Sequence, residues 1–316
     1  MTALLEVKDL TKAFGTVKAV DGIHFTIAEG HCVALLGPNG AGKTTTIRMI
    51  AGLLKQTSGQ MVFKGAGNRG EHRELIGYLP QTPSFHNWMT GFEFVVYAGQ
   101  LCGLTSAEAK KSAKELVERV GIAGAAKRRI GSYSGGMKQR LGLAQALVHR
   151  PKLLVMDEPV SALDPIGRRE VLDLLRELKR ETTVLFSTHV LHDAEALCDD
   201  VIIIREGKVA LQGAIETIRD ERRKPIINLQ LENDESSRQW LALFIQTIRD
   251  EKRLANQLSL FETAEQHEGA ASFAVKDVDA ARQLLIGEMA RNQIKISKLE
   301  VGHSSLEDLF MKVVGE

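Results

Sequence analysis

Residues 37–44 constrain the fold of this chain more than any other segment. They fit the spacing GxxxxGK[ST], with an apolar run at 32–36 before them and a helix-favouring run at 44–54 after them. In such a loop backbone N–H groups surround phosphate oxygens, the lysine reaches the β and γ phosphates, and the threonine can hold Mg²⁺. The segment therefore predicts a strand, a phosphate-binding turn and a helix, with a nucleoside triphosphate as ligand. Its residues are Gly37, Pro38, Asn39, Gly40, Ala41, Gly42, Lys43 and Thr44.

Short runs rich in valine, isoleucine and leucine predict buried strands at 32–36, 153–156, 183–186 and 201–204. Helical patterns separate these runs, and this alternation is typical of an α/β layer with a largely parallel sheet. The strand pattern stops between Thr90 and Arg150. There, residues 105–120 combine a capping-box spacing with apolar side chains on one helix face. We expect a helical insertion over about residues 86–150.

The length of 316 residues favours two domains. The pattern changes after Gly213, and the polar stretch 220–225 is predicted as a linker, which gives domains at 1–220 and 221–316. The tail then predicts an α+β domain of βαββαβ, ferredoxin-like order, followed by one amphipathic helix. Its predicted elements are strand 226–231, helix 236–250, strand 258–261, strand 272–275, helix 278–291, strand 294–301 and helix 304–314.

Composition excludes several classes of protein. Lys and Arg total 41 against 40 Asp and Glu, a net charge of +1, so we expect no nucleic acid partner. No run approaches the ~18 apolar residues of a membrane span, and the start lacks the apolar core of a signal peptide. The three cysteines lack metal-binding spacing, which favours free thiols in a reducing cytosol. We expect a cytoplasmic protein.

Two further motifs carry polar side chains that suit phosphate chemistry. Asp157 and Glu158 follow the predicted strand 153–156, so both carboxylates would lie beside the phosphate loop, Asp157 facing Mg²⁺ and Glu158 acting on water. An Asp-Glu pair alone is typical of a solvated turn, but next to a phosphate loop it favours catalysis. Ser134-Gly-Gly opens a helix whose N-terminus attracts anions, although a lone motif of this kind is an ordinary N-cap.

Taken together, these motifs resemble the ATP-binding subunit of ATP-binding-cassette (ABC) transporters over residues 4–213. The motifs stand in the family's order, and the resemblance implies a P-loop NTPase (RecA-like) core. Residues 37–45, which end at Thr45, resemble the Walker A loop, and 133–137 the ABC signature. Residues 153–158 resemble Walker B, and 161–164 the D-loop. Gln81 matches the Q-loop glutamine and His189 the switch histidine.

The resemblance implies a role for each matching residue. The implied catalytic residues are Lys43, Gln81, Glu158 and His189. The residues implied to bind Mg²⁺ are Thr44, Gln81 and Asp157. Phe14 stands where the family stacks an aromatic ring on adenine. Tyr133 and Phe14 replace the more usual leucine and tyrosine, and neither change touches the phosphates. The implied ATP-binding residues are Phe14, Gly37, Pro38, Asn39, Gly40, Ala41, Gly42, Lys43, Thr44, Thr45, Ser134, Gly135, Gly136 and Asp164.

In this family two subunits sandwich ATP between Walker A of one and the signature of the other, so a homodimer or a pairing with a related ATPase is implied. An integral membrane permease subunit would hold the chain on the cytoplasmic face of the membrane. The aromatic residues at 85–94 could dock it or simply pack the insertion. The tail sequence at 304–311 resembles the C-terminus of ATP-binding subunits from the drug and antibiotic exporter branch. Two alternatives stay open: a soluble ABC ATPase not coupled to transport, and an importer ATPase with a regulatory tail.

Overall fold

A six-stranded sheet lies at the centre of the N-terminal part of this chain. The computed structural model describes residues 2–65, 72–161, 163–222, 225–232, 234–251, 257–267, 269–303 and 310. Five strands of the sheet are parallel, and the sixth, β9, lies at one edge and runs antiparallel to its neighbour. The predicted apolar runs supply these strands because a parallel sheet buries both of its faces. In spatial order they are β5 (Ile76–Leu79), β6 (Leu153–Asp157), β7 (Thr183–Thr188), β3 (Cys32–Leu36), β8 (Asp200–Arg205) and β9 (Lys208–Ala214).

A second, antiparallel sheet was not predicted from the sequence. Its strands are β1 (Ala3–Phe14), β2 (Val17–Ala28) and β4 (Ser58–Phe63), in the order β2-β1-β4. Helix α1 (Lys43–Ile50) follows the phosphate loop, and its Ile47 belongs to one buried cluster with residues of both sheets. Burying a side chain of this size stabilises the fold by about 1.5–3 kcal/mol. The loop is therefore anchored through α1 to the common core.

The predicted helical segment is confirmed, since residues 80–152 contain no strand. It holds α2 (Gly91–Leu101), α3 (Ser106–Arg119) and α4 (Gly135–Leu147). Thr105 caps α3 in the predicted capping box with Glu108, and Thr90 and Glu93 form a second capping box on α2. Each N-cap contributes about 1 kcal/mol to its helix. The predicted apolar face of α3 is buried, at Ala109, Ala113, Leu116, Val117 and Val120.

Three further α-helices lie between residues 163 and 222 of the described chain: α5 (Pro165–Leu178), α6 (Leu191–Leu197) and α7 (Ile215–Arg222). Residues 220–222, predicted as the start of a linker, form the last turn of α7. This helix buries Ile215 and Ile218, which lie three residues apart and so share a helix face. The chain divides into two compact units between Ile215 and Glu216. Residues 223 and 224 of the predicted linker lie outside the described residues.

The C-terminal unit has the predicted βαββαβ order. Its sheet order is β11-β12-β10-β13, and every neighbouring pair is antiparallel. The rings of Phe244, Phe261 and Phe273 meet edge to face in its core, with centroids 5.5–6.0 Å apart. The elements are β10 (Pro225–Leu231), α8 (Glu235–Glu251), β11 (Phe261–His267), β12 (Ala270–Val275), α9 (Val278–Arg291) and β13 (Ile296–His303).

Two predicted elements of this unit differ in outcome: the strand at 258–261 is wrong, and the helix at 304–314 lies almost wholly outside the described residues. The strand predicted at 258–261 is a short 3₁₀ helix at Gln257–Leu260, and β11 begins only at Phe261, where pairing with Val275 starts. A short apolar run fits either structure, and the strand partner decides between them. The helix predicted at 304–314 lies outside the described residues except for residue 310. In the described part of the chain, no helix has the length and apolar character needed to cross a bilayer.

Candidate functional site

The carboxyl ends of β3, β5, β6 and β7 meet at one edge of the parallel sheet, where they border a pocket of about 420 Å³. Parallel strands all present these ends to the same side, so motifs far apart in the sequence converge there. The lining includes one residue that the sequence did not indicate, Ala19, from the unpredicted strand β2. The lining residues are Ala19, Asn39, Gly40, Ala41, Gly42, Lys43, Thr44, Thr45, Gln81, Glu158 and His189.

Two glycines of the phosphate loop are required by close backbone contacts. A Cβ atom at Gly37 would lie 2.2 Å from the carbonyl oxygen of Ile204, and one at Gly42 would lie 2.5 Å from that of Ala19. Gly42 also has a φ of 107°, which L-residues rarely adopt. The loop thus turns tightly against β2 and β8.

Lys43 brings a buried positive charge to the pocket. Its Nζ atom donates hydrogen bonds to the carbonyl oxygens of Gly37 and Pro38, at 2.8 and 3.0 Å. Burial lowers the pKa of Lys43, while the nearby carboxylates of Glu158 and Asp157 oppose that shift. The loop carbonyls hold the lysine head group where phosphate oxygens would supply its counter-charge.

Asp157 ends β6 and is buried beneath the pocket. Its Oδ1 atom accepts hydrogen bonds from the Thr44 hydroxyl at 3.1 Å and from the Ser187 hydroxyl at 2.7 Å. Carboxylate and hydroxyl oxygens next to a phosphate loop suit Mg²⁺, which proteins usually bind through one or two carboxylates together with substrate phosphates. Thr44 and Asp157 therefore fit the predicted metal chemistry, and Ser187, two residues before the switch histidine, is a neighbour with no predicted role.

Glu158 points its carboxylate at two of the other predicted residues. The Gln81 Nε2 atom donates to Glu158 Oε2 at 3.1 Å, and His189 Nδ1 lies 3.3 Å from Glu158 Oε1. The Glu158 backbone has a φ of 47°, a left-handed conformation that is uncommon for residues other than glycine. These three side chains, from the ends of three different strands, form a polar group opposite the phosphate loop.

The remaining predicted ATP-binding residues do not line this pocket. Phe14, at the end of β1, is 53% exposed, and Lys12 Nζ lies 5.0 Å from its ring centroid. Ser134 is exposed and caps α4, accepting a hydrogen bond from the Met137 N–H at 3.3 Å. Asp164 caps α5 by accepting from the Gly167 N–H at 2.9 Å. In the first turn of α4, Gly135 is exposed and Gly136 is half-buried, and Ala162 of the D-loop lies outside the described residues.

The aromatic segment that follows Gln81 is divided between core and surface. Met89 and Phe94 are buried, and the Phe94 ring meets that of Phe85 edge to face at 5.1 Å. Trp88, in contrast, is 71% exposed, with its ring 5.9 Å from that of His86. Packing of the helical segment thus explains Met89 and Phe94, whereas it does not explain Trp88.

A phosphate loop after a central strand, together with acidic residues at the end of a neighbouring strand, defines a nucleoside triphosphatase of the P-loop class. Residues 20–161 match the family described as ABC transporter. Residues 213–314 match the family described as ATP-binding protein DrrA1-3-like, C-terminal domain. The chain belongs to the ATP-binding subunits of ABC transporters, which bind and hydrolyse ATP to drive transport.

Three relatives align over nearly the whole chain. YxlF of Bacillus subtilis (strain 168), described as an uncharacterized ABC transporter ATP-binding protein, is 45% identical over 98% of this chain and 99% of its own length. The bacitracin transport ATP-binding protein BcrA of Bacillus licheniformis is 33% identical over 100% and 98%. The daunorubicin/doxorubicin resistance ATP-binding protein DrrA of Streptomyces peucetius is 32% identical over 99% and 93%.

Solved structures match about two thirds of the chain. The ATP-binding subunit of an ABC transporter covers 69% of this chain and 92% of its own, with a TM-score of 0.63 and 32% identity. The dimeric cassette MJ0796 in a post-hydrolysis state with ADP and phosphate covers 67% and 98%, with a TM-score of 0.60 and 25% identity. ATPase subunits of this family dimerise and work with membrane permease partners.

Proposed function

We propose that this chain powers the export of drug-like or antibiotic molecules by binding and hydrolysing Mg²⁺-ATP at the pocket beside the phosphate loop. The observation that carries the proposal is the position of the Glu158 carboxylate, within 3.1–3.3 Å of Gln81 and His189 at that pocket. A carboxylate held in this way can orient or deprotonate a water molecule that attacks the γ-phosphate.

Thr44, Asp157 and Gln81 would hold Mg²⁺ through their side-chain oxygens. When bound, Mg²⁺ neutralises charge on the β and γ phosphates. Asp157 suits this task because its buried carboxylate already contacts the Thr44 hydroxyl and lies at the base of the phosphate loop. Gln81 has its carboxamide beside Glu158, so one side chain can contact both the metal and the catalytic carboxylate.

Each of the other polar groups acts on the transferred phosphoryl group or on the water. Lys43 supplies positive charge from inside the loop, and the loop N–H groups hold the phosphate oxygens. Glu158 takes the proton of the water. His189 contacts the Glu158 carboxylate and would also contact the γ-phosphate, so it orients the two groups relative to each other. Phe14, exposed at the end of β1, offers a ring for the adenine. All of these groups belong to one subunit.

The signature residues complete the site of a second subunit. Ser134, Gly135 and Gly136 form a helix N-terminus that does not line the pocket of their own chain, and Ser134 and Gly135 are exposed there. Such a terminus attracts anions, so it suits the γ-phosphate of ATP held by a partner. Asp164 belongs to the same partner-facing group. ATP then joins two subunits, and hydrolysis removes the contacts that hold them together.

Export is favoured over import by the C-terminal unit. The relatives BcrA and DrrA, whose names refer to bacitracin transport and to daunorubicin/doxorubicin resistance, align with this chain through that unit, and residues 213–314 match the DrrA-like domain. We infer an integral membrane permease as partner, which would hold the chain at the cytoplasmic face of the membrane. The exposed Trp88, beside the Q-loop, is a candidate contact for it.

The export proposal is tested by isolating the membrane protein that co-purifies with the chain and placing the pair in vesicles. ATP-dependent movement of an antibiotic away from the ATPase side supports it, and Glu158→Gln should abolish that movement. Movement toward the ATPase side would support the importer alternative instead. A chain that turns over ATP but binds no membrane protein would support the soluble alternative.

The two-subunit site is tested by mixing Ser134→Arg and Lys43→Ala subunits. If the signature acts across the dimer, the heterodimer has one doubly damaged site and one intact site, and it binds one ATP. If the signature acted within its own chain, neither subunit would retain a complete site. The nucleotide stoichiometry of purified heterodimers, compared with both homodimers, separates the two arrangements.

A further inference from the structure

A buried serine hydrogen-bonds to both acidic residues of the site. Ser187, near the end of β7, is the register partner of Asp157 at the end of the neighbouring parallel strand β6. The Ser187 side chain is fully buried and does not line the pocket. Its hydroxyl donates to Asp157 Oδ1 at 2.7 Å and accepts from the Glu158 backbone N–H at 3.0 Å.

The hydrogen bond to Glu158 matters because the chain changes direction there. β6 ends at Asp157, the N–H of Glu158 is partly buried, and Glu158 itself has a φ of 47°. A buried N–H needs an acceptor, and a left-handed residue persists only where its surroundings fix it. The Ser187 hydroxyl supplies that acceptor. In this way it sets the direction in which the Glu158 side chain leaves the strand toward Gln81 and His189.

The hydrogen bond to Asp157 fixes the second carboxylate. Thr44 donates to the same Oδ1 atom, but Thr44 also lines the pocket and is assigned to the metal and nucleotide. Ser187 is buried and does not line the pocket, so its donation to Asp157 does not depend on a pocket-lining side chain. A single hydroxyl therefore contacts the carboxylate of Asp157 and the backbone of Glu158.

We propose that Ser187 is a positioning residue for ATP hydrolysis, which holds Asp157 for Mg²⁺ and Glu158 for the attacking water. This inference rests on the roles proposed above for those two acids. Groups that orient the ligands of a metal site typically change metal affinity or activity by about 10–100-fold when they are removed. Because Ser187 touches neither phosphate nor base, its removal should spare binding of ATP without metal.

The test compares Ser187→Ala with Thr183→Val in the full-length chain. Thr183 is the matched control, since it is a buried hydroxyl residue at the other end of β7 and accepts from the Gly30 N–H at 2.9 Å. For each variant the ATP dissociation constant is measured in EDTA and in excess Mg²⁺, and kcat and KM are measured separately.

We expect Ser187→Ala to bind ATP in EDTA within about threefold of the parent, since the residue does not contact the nucleotide. Its gain in affinity on adding Mg²⁺ should fall about tenfold, and kcat should fall by about 10–100-fold. Thr183→Val should keep both quantities. The proposal is overturned if Ser187→Ala matches Thr183→Val, or if it loses ATP binding equally in EDTA, which would indicate a purely structural role.

Two further variants cover the case in which Ser187→Ala does not fold. Ser187→Thr keeps the hydroxyl and Ser187→Val has nearly the same shape without it, so the first should retain the Mg²⁺ gain and the second should lose it. Equal values for these two would also overturn the proposal. Glu158→Gln separates this test from the proposed catalytic role: near-normal turnover in that variant refutes the role of Glu158, whereas the Mg²⁺ gain still reports on Ser187 acting through Asp157.

Discussion

The two units of this chain use buried polar residues in different ways. In the first unit, the buried Lys43 lines the pocket and contacts the loop carbonyls, and the buried Asp157 and Ser187 hydrogen-bond to each other next to it. Other buried polar residues of this unit, such as Asp193 paired with Arg168, lie away from the pocket. In the described part of the C-terminal unit, the polar residue buried to this degree is Ser237, which Asp234 holds at the start of α8. A buried charge is costly unless it is paired, so a buried lysine beside two carboxylates at a pocket indicates a functional site. That combination lies in the first unit, whereas the described core of the second unit is largely apolar.

The largest expected effect is on turnover in the first unit. Glu158→Gln should lower ATP hydrolysis by about 10²–10⁴-fold, the usual contribution of a general base, while ATP binding is kept and an ATP-bound dimer accumulates. Steady-state phosphate release and size-exclusion chromatography with ATP measure the two outcomes. Glu195→Gln, an exposed glutamate of α6, is the control and should retain activity. Turnover in Glu158→Gln within a few-fold of the parent would refute the role of Glu158.

The converse change affects stability in the second unit and leaves the pocket intact. Phe273→Ala should destabilise the C-terminal unit by about 3–5 kcal/mol, because its fully buried ring packs against Phe244 and Phe261. Denaturant unfolding is followed through Trp240, which stacks on Phe244, in a Trp88→Phe background that leaves a single tryptophan.

ATP affinity should be unchanged in this variant, since every pocket residue lies at or before His189. Leu243→Ala, at a position 65% exposed on α8, is the control and should change stability by less than about 0.5 kcal/mol. If Phe273→Ala weakened ATP binding at concentrations of denaturant where the first unit is folded, the division of labour between the units would be wrong.

A smaller effect distinguishes two glycines within the phosphate loop. Gly42→Ala and Gly40→Ala both place a side chain at positive φ, which costs about 1–2 kcal/mol. Gly42→Ala adds a contact of 2.5 Å with the Ala19 carbonyl, whereas a Cβ atom at Gly40 meets nothing within 4 Å. We expect ATP affinity, measured by calorimetry, to fall about tenfold further in Gly42→Ala, since overpacking costs about 1–3 kcal/mol. Equal losses would show that the contact with β2 does not shape the loop.

The smallest effect is a dependence of the C-terminal unit on pH. Hydrogen bonds from the Ser236 hydroxyl, then from the Ser237 N–H and hydroxyl, lower the pKa of Asp234 from 3.8 to about 2. Because the folded pKa is the lower one, the carboxylate stabilises the folded unit above about pH 4, and this contribution is lost as the pH falls toward 2.

Asp234→Ala should therefore lower the Trp240-detected melting temperature more at pH 5 than at pH 3. The control is Asp279→Ala, an exposed residue of α9, which should have little effect at either pH. A deficit in Asp234→Ala that is equal at the two pH values would show that the charge of Asp234 does not hold the start of α8.

Local patterns in the sequence were sufficient to predict much of this molecule. The spacing of residues 37–44, the apolar run before Asp157 and the capping box at Thr105 depend on neighbours a few residues away, so each could be read from the chain itself. The βαββαβ order of the tail followed from the same kind of pattern. The antiparallel sheet was missed because β1 and β2 pair with several shifts of register, which interrupt the alternation expected of a half-buried strand.

Contacts between residues far apart in the sequence were decided only by the tertiary structure. Ser187 meets Asp157 because β7 pairs with β6 in one particular register, and a shift of one residue would turn the hydroxyl to the other face of the sheet. Cys32 and Cys198 looked isolated in the sequence, yet their Sγ atoms lie 3.4 Å apart in the fold. The sequence determined which local elements form and which of them carry reactive groups. Strand order and register, which depend on the packing of the whole core, determined which of those groups meet.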